Sequence, residues 1–262
     1  MKNSISVLMT VYNCELFVEQ SIKSILNQSY RNFELIIIDD CSNDSSLEKI
    51  RTFEDERIKI FSLEKKLGRT RALNFGLTKC QAKIISIQDA DDISEKERLA
   101  KSISKLDTNN EIGMVCTNYE FINSKNELIT KKKKILDEKT LFSKLLYLNL
   151  IAHSSITFKR VSPGINGFLY DENYIYAQDY NLILRYLRDS KILLIKENLV
   201  RIRDYEGNMS NVKKYAKIRL LENLKLLEFS KKNFKVGFFG KIKIEYFKLK
   251  NHFKLLWENK GE

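Results

Sequence analysis

Apolar residues in the first third of the chain fall into short β-branched runs separated by amphipathic stretches. Ser4 to Tyr12 is a continuous apolar run of strand length, and Phe33 to Ile38 and Lys83 to Ile87 are two more. Arg57 to Phe61 alternates as a further short strand. Between these runs, Leu16, Val18, Ile22, Ile25 and Leu26 recur at helical spacing up to about Gln28. The polar cluster Asp39 to Ser45 leads into a helix capped near Ser45, and Thr70 to Leu77 reads as a helix introduced by Leu67-Gly68. Strands alternating with helices over short links predict βαβ units and a mostly parallel α/β sheet. Strands apolar on both sides are those expected when helices cover both faces.

Further along, the pattern predicts a helix over 94–107, a strand over Met114 to Ile122 and a turn at Asn123 to Asn126. A helix over Leu141 to Leu150, a strand over Ser154 to Phe158 and a loop at Gly164 to Phe168 follow. Gln178-Asp179-Tyr180 opens another helix, and Lys191 to Ile195 is a last strand. The Lys131 to Lys134 run reads as a solvated loop. Residues 211–262 change character: helical, lysine-rich and without a turn signal until Gly237. There Phe239, Ile242, Tyr246, Leu249, Phe253 and Leu256 form one helical stripe, and Lys241, Lys243, Lys248, Lys250 and Lys254 mostly fall off it. The chain thus divides into an α/β domain over 1–210, with halves at about 1–110 and 111–210, and a basic amphipathic tail over 211–262.

Composition narrows the class. With 262 residues, 43% of them hydrophobic, one Pro and nine Gly, the chain can bury a sizeable core and is not low-complexity. No apolar run approaches the ~18 residues of a membrane span. Lys2 followed by Ile5 to Val11 resembles a signal peptide, but the stretch is short, is broken at Tyr12-Asn13-Cys14-Glu15 and lacks a cleavage site. Cys14, Cys41, Cys80 and Cys116 are widely spaced, which speaks against a zinc site or a disulfide framework and for reduced thiols of a cytoplasmic protein. The net charge of +12 sits mostly in the tail, where 14 Lys and Arg face 5 Asp and Glu, a net +9. A body left at +3 is no nucleic-acid grip.

The candidate chemistry is acidic. Gln88-Asp89-Ala90-Asp91-Asp92 follows the Lys83 to Ile87 strand and so lies at its carboxyl end, where open α/β sheets bind ligands. Three carboxylates so close together repel unless a hard divalent cation, shared with substrate phosphates, lies between them. The alternative is a solvated turn capping the helix that starts near Asp92. Asp39 and Asp40 end another strand, and Asp179 opens a later helix. Carboxylates directed into one cleft suit a metal on a nucleotide diphosphate plus a separate acid/base group. No G-x-G-x-x-G follows the first strand and no G-x-x-x-x-G-K-[ST] occurs, which argues against dinucleotide enzymes and P-loop NTPases.

Ser6 to Asn13, Ser24 to Ser29 and Glu34 to Ser45 together resemble the opening of family 2 glycosyltransferases of the GT-A fold. Asp89-Ala90-Asp91 is similar to that family's D-x-D motif, and Gln178-Asp179-Tyr180 with Leu184-Arg185 to its later segment with the catalytic base. The resemblance spans about residues 4–210. It implies an inverting, single-displacement transferase, with a nucleotide-sugar half and an acceptor half. Thr10, Tyr12 and Asp40 would form the base pocket, Tyr12 stacking on the ring and Asp40 accepting its N–H. Arg69 or Arg71 would face the base or phosphates, Asp89 would bond the ribose hydroxyls or back the metal, and Asp91 would ligate Mn2+ or Mg2+ on the diphosphate. Asp92 is left to cap the next helix. Asp179 would be the general base, doubling as a helix N-cap.

The sequence departs from the family at two positions. Gln178 stands where the family usually has Glu, which would lower the pKa of the base, and Arg203 stands where it often has a His near the metal. Arg can pair with phosphate but cannot ligate a metal. His153 is a second candidate on the acceptor side. The expected donor is a nucleotide diphosphate sugar, a UDP-sugar first, and the acceptor a cell-surface polysaccharide or lipid-linked glycan. The tail suits an anionic membrane surface at the inner face of the cytoplasmic membrane. Packing of its stripe on the catalytic domain, or on a second copy in a homodimer, is the alternative. A sugar nucleotidyltransferase would want a Gly/Lys-rich phosphate loop, absent from Thr10 to Glu15; a catalytically degenerate binding module is the non-enzymatic rival.

Overall fold

The computed structural model describes residues 5–130, 137–160, 170–206 and 215–258, with residues 256–258 described in backbone only. The apolar runs become parallel strands β1 (Ile5–Val11), β2 (Phe33–Asp39), β3 (Ile58–Ser62) and β4 (Ile84–Ile87). Helices α1 (Val18–Leu26), α2 (Ser46–Arg51) and α3 (Arg69–Lys79) connect them. The two-residue period of the strands sorts their side chains onto two faces. Leu8, Ile36 and Ile38 pack with Leu73 and Leu77 of α3, whereas Val7, Met9, Leu35 and Ile37 pack with Val18, Ile22 and Ile25 of α1. Burial on both faces explains why β1 and β2 carry so few polar residues.

Beyond β4 the sheet becomes mixed. Two-residue β5 (Ile93–Ser94), α4 (Arg98–Leu106), β6 (Ile112–Ile122) and α5 (Glu138–Leu145) precede a 3-10 turn at His153–Ser155. Then come β7 (Thr157–Lys159), α6 (Gln178–Asp189) and β8 (Lys191–Arg203). Among the described residues the strand order is β3-β2-β1-β4-β7-β6-β8-β5, with β7 antiparallel to both neighbours and β5 antiparallel to β8.

Several elements differ from expectation, each for a tertiary reason. The helix expected over 94–107 starts at Arg98, because Ile93 and Ser94 pair with Arg201 and Val200 of β8. The strand expected over 191–195 runs on to Arg203 because β6 offers a partner along its whole length. The helix expected over 141–150 begins earlier, at Glu138, where the Asp137 carboxylate accepts the Thr140 N–H, and ends at Leu145. Lys131 to Lys134 and Gly164 to Phe168 lie outside the described residues.

The segment after 210 forms two helices, α7 (Ala216–Asn233) and α8 (Phe238–Glu258). Leu226 of α7 joins the main apolar cluster, and Leu227 packs with Tyr147 and Ile244 of α8. Phe247 stacks on Tyr147 at 5.0 Å. The packed face of α8 is thus the one opposite the expected stripe. Phe239, Ile242, Tyr246, Leu249 and Phe253 point outward, 50–78% exposed. The stripe therefore does not pack on the catalytic domain. The Leu256 side chain lies outside the description.

Gly76 of α3 marks a close approach of a helix to the sheet. A Cβ there would lie 2.4 Å from Leu8 Cδ1 and 2.9 Å from Ile38 Cγ1. Gly76→Ala gains ~1 kcal/mol of helix propensity but overpacks the core at a cost of about 1–3 kcal/mol. The urea midpoint should fall; an unchanged or raised midpoint would mean that Leu8 yields freely.

Candidate active site

The carboxyl ends of β1 and β2 are shaped by two residues of left-handed backbone, Asn13 (φ 50°) and Cys41 (φ 62°). Ser42 Oγ accepts the Asn13 N–H at 3.1 Å, and Asn13 Oδ1 accepts the Asn43 N–H at 3.0 Å, tying the two loops together. Asp40 is only 2% exposed. Its carboxylate oxygens accept the Leu67 N–H at 2.6 Å and the Gly68 N–H at 2.9 Å. Gly68 has φ 86°, a conformation that only glycine adopts without strain, and Arg69 begins α3 directly after it. Asp40 thus builds the loop that delivers Arg69, with one N–H accepted on each carboxylate oxygen. Tyr12 stands at the rim, 41% exposed, with Lys66 Nζ 3.2 Å from its ring centre. Thr10, two residues earlier on β1, is partly exposed.

The acidic run after β4 is divided among different partners. Arg69 Nη2 donates to Asp89 Oδ1 at 2.6 Å, and His153 Nδ1 lies 2.9 Å from that nitrogen and 3.2 Å from Asp89 Oδ1. His153 Nε2 lies 2.8 Å from the Tyr170 hydroxyl, within hydrogen-bond distance. Burial alone would raise the Asp89 carboxyl; the charges of Arg69 and His153 outweigh it and hold that carboxyl well below the usual range.

Asp92 is buried, accepting from Ser154 Oγ and from the Arg203 N–H at 2.9 Å. Burial, reinforced by the charges of Asp91 and Asp89, pushes its carboxyl well up. It does not cap a helix: the N-cap of α4 is Glu97. Beneath the run lies Arg98, buried, donating from Nη1 to the Ile87 and Ser154 carbonyls at 3.0 and 2.7 Å. Burial lowers its pKa to about 10, with Asp92 and Asp89 acting in the opposite sense.

Arg203 corrects an expectation. Its guanidinium is buried and donates to the Asp91 carbonyl (2.8 Å), the Asn123 carbonyl (3.0 Å) and Gln20 Oε1 (3.1 Å), with its plane over Phe17. It braces the acidic turn from behind rather than facing a phosphate. Arg71 also points elsewhere, pairing with Glu172 at 3.1 Å on the surface. Arg69 is the cation beside the acidic run.

Among the described residues Asp91 has no ion-pair partner of its own. Burial, and then the charge of Asp89, push its carboxyl up to about 6, against the pull of Arg69. No group of three or more His, Cys, Asp or Glu among the described residues is arranged to hold a metal ion. One oxygen ligand whose charged form lacks compensation does fit Mg2+ or Mn2+ completed by substrate phosphates, since such ions take few protein carboxylates.

Facing this run is a cleft of ≈ 220 Å³ whose lining includes Arg69, Asp89, His153, Tyr176, Asp179 and Arg219. Asp179 sits in the first turn of α6, whose N-cap is Ala177, so it lines the cleft without capping the helix. Its Oδ2 accepts from Asn149 Nδ2 at 3.1 Å. Burial raises the Asp179 carboxyl despite the opposing charges of His153 and Arg69. Gln178 is buried beside it, its Oε1 without a hydrogen-bond partner among the described residues.

Sequence reasoning missed Glu222 and Arg219 on α7. The buried Glu222 carboxylate accepts the consecutive N–H groups of Ile175 (2.7 Å), Tyr176 (2.9 Å) and Ala177 (2.8 Å), the turn that opens α6. Arg219, one turn earlier, reaches the cleft. The only signal was an isolated acid at 222 between Lys213 and Lys225.

With this geometry in place, the family model for glycosyl transferase family 2 matches residues 6–163. The fold is GT-A, and the chain belongs to glycosyl transferase family 2; it is a glycosyltransferase. It is 37% identical over 190 residues to the O-antigen biosynthesis glycosyltransferase WbnJ of Escherichia coli, covering 71% of this chain and 72% of that one. It is 33% identical over 191 residues, 73% of this chain and 72% of the other, to the Escherichia coli UDP-Glc:alpha-D-GlcNAc-diphosphoundecaprenol beta-1,3-glucosyltransferase WfgD. S. aureus TarS in complex with UDP-GlcNAc matches the fold with TM-score 0.70 at 18% identity, covering 96% of this chain and 73% of that one. The Pyrobaculum calidifontis mannosyltransferase PcManGT, in complex with GDP-Man and Mn2+, does so with TM-score 0.66 at 17% identity, covering 99% and 74%.

A raised carboxyl pKa means that the folded state favours the protonated form. The stability contribution of Asp91 is therefore complete below the ordinary carboxyl range and lost as pH rises through about 6. In metal-free protein, Asp91→Asn should leave the melting temperature unchanged at acidic pH. At neutral pH it should raise stability by about 1–2 kcal/mol. Glu222→Gln should destabilise by about 1–3 kcal/mol, because one amide cannot accept three N–H groups; a melting curve overlying wild type would deny Glu222 that role.

Proposed function

We propose that this chain transfers a hexosyl or N-acetylhexosaminyl group from a nucleotide diphosphate sugar to a glycan hydroxyl, with inversion at the anomeric carbon. The observation that carries the reading is one cleft holding both Asp89, paired with Arg69, and Asp179, a carboxyl raised by burial. Tyr12 and Thr10, at the end of β1, would bind the base, with Asp40 shaping that pocket through Leu67 and Gly68. Asp89 would accept from the ribose hydroxyls, and Arg69 would sit beside the phosphates. Asp91 would hold Mn2+ or Mg2+ together with diphosphate oxygens, and such a cation supplies positive charge to the departing diphosphate.

On the acceptor side, Asp179 takes the proton of the attacking hydroxyl as the new glycosidic bond forms and the bond to diphosphate breaks. Attack from the face opposite the leaving group inverts the centre. A carboxylate of raised pKa is the stronger base, and proton transfer of this kind contributes ~10²–10⁴ in rate. Asn149 orients Asp179, with His153 and Gln178 alongside.

A UDP-sugar donor is favoured; support comes from UDP-GlcNAc in TarS and from the UDP-Glc specificity in the name of WfgD. The names of WbnJ and WfgD support a polysaccharide or lipid-linked acceptor. That acceptor would be met at the inner face of the cytoplasmic membrane. No helix among the described residues is long and apolar enough to cross a membrane.

Asp179→Asn should lower kcat ~10²–10⁴-fold while leaving nucleotide-sugar affinity near wild type. The acid limb of its pH–rate profile, expected above the ordinary carboxylate range, should vanish. Nucleotide sugar should stabilise wild type thermally in a Mn2+-dependent way, and Asp91→Asn should abolish that stabilisation. Undiminished transfer by both variants would overturn the mechanism.

A further inference from the structure

The outward face of α8 has no counterpart elsewhere on the described surface. Phe238, Phe239, Ile242, Tyr246, Leu249 and Phe253 are each at least half exposed. At 3.6 residues per turn they share an arc of about 100°. Diametrically opposite lies Ile244, fully buried against Tyr147 and Leu227. The helix is pinned by that inner face. Lys231 bonds Glu245 at 2.7 Å, and Lys248 pairs with Glu228 and with Glu245 at 3.3 Å. The stripe is therefore held outward by packing and ion pairs on the other side, and is not a loose segment awaiting a place in the core.

Charge decides what covers it. Lys243, Lys250 and Lys254 follow one edge of the stripe and Lys241 the other, all exposed. From Phe238 to Leu255 the single acid is Glu245, and it is engaged by Lys231 and Lys248. A second copy laid stripe against stripe would set lysine edges against lysine edges, which opposes association. A surface of anionic headgroups over an apolar interior complements both features. Twenty-one helical residues would lie in that plane rather than cross it.

We propose that the outward face of α8 is a docking surface for an anionic phospholipid bilayer, its aromatic and aliphatic stripe inserted at the acyl boundary and its lysines among the headgroups. The anchor is rigidly joined to the site, since α7 packs against α8 and its Glu222 holds the turn before Asp179. The surface would serve a lipid-linked acceptor, but the argument for it does not depend on the chemistry of the cleft.

The test is sedimentation of the full chain with phosphatidylglycerol-containing vesicles and with phosphatidylcholine vesicles. Wild type should bind the former at least tenfold more strongly, and added salt should weaken binding. Phe239→Ser/Leu249→Ser/Phe253→Ser and Lys243→Glu/Lys250→Glu/Lys254→Glu should each reduce binding at least tenfold, with wild-type melting temperature and wild-type transfer to a soluble acceptor. Vesicle binding undiminished in both variants would overturn the proposal. So would a wild-type dimer that ignores vesicles and dissociates in the Phe/Leu variant, which would assign the stripe to a second copy. Loss of transfer with vesicle binding intact would instead count against the catalytic reading alone.

Discussion

Holding three carboxylates within four residues at the end of a buried strand is the constraint around which the rest of the molecule is arranged. Left to themselves, Asp89, Asp91 and Asp92 would repel and draw water into the sheet. Each is handled differently. Asp89 is neutralised by Arg69 from α3. Asp92 is buried between Ser154 and the backbone of Arg203, its carboxyl raised toward the neutral form. Asp91 has no ion-pair partner among the described residues, and burial and the charge of Asp89 push its carboxyl up against the pull of Arg69. Around the run, Arg69 pairs with Asp89 while Arg98 beneath and Arg203 behind bond to neighbouring carbonyls.

The same constraint ties remote elements together. Arg98 beneath the run comes from α4, Ser154 from the 3-10 turn before β7, and Arg203 from the end of β8. Asp40, at the end of β2, fixes the Leu67-Gly68 turn that places Arg69. Weakening any of these contacts would be felt at Asp89 or Asp91, because a charge pair in a poorly solvated cleft is far stronger than the same pair in water. The acceptor side is braced in the same manner by Glu222, whose three N–H acceptances hold the start of the Asp179 helix.

These links also explain where the boundary between domain and tail blurs. Composition changes near residue 210, because lysines accumulate there. Packing does not: α7 sends Leu226 into the main apolar cluster and Arg219 to the cleft. Basic composition records what the outer surface of the helices meets, whereas buried contacts record what their inner surface meets. The two surfaces of α7 and α8 belong to different environments.

The sequence by itself determined the α/β alternation, the parallel strands and the acids at their carboxyl ends, because two-residue and 3.6-residue periodicities are local consequences of burial. It also located Asp89, Asp91 and Asp179, which sit at element ends that local patterning makes visible. Tertiary structure alone decided that Arg69 and not Arg71 meets Asp89, that Arg203 turns away from the cleft, and that Asp92 is buried rather than a helix cap. It alone decided which face of α8 is packed, since an amphipathic stripe looks the same whether it meets a core or a membrane. Choices between equivalent charges or faces depend on partners distant along the chain, and no local pattern encodes them.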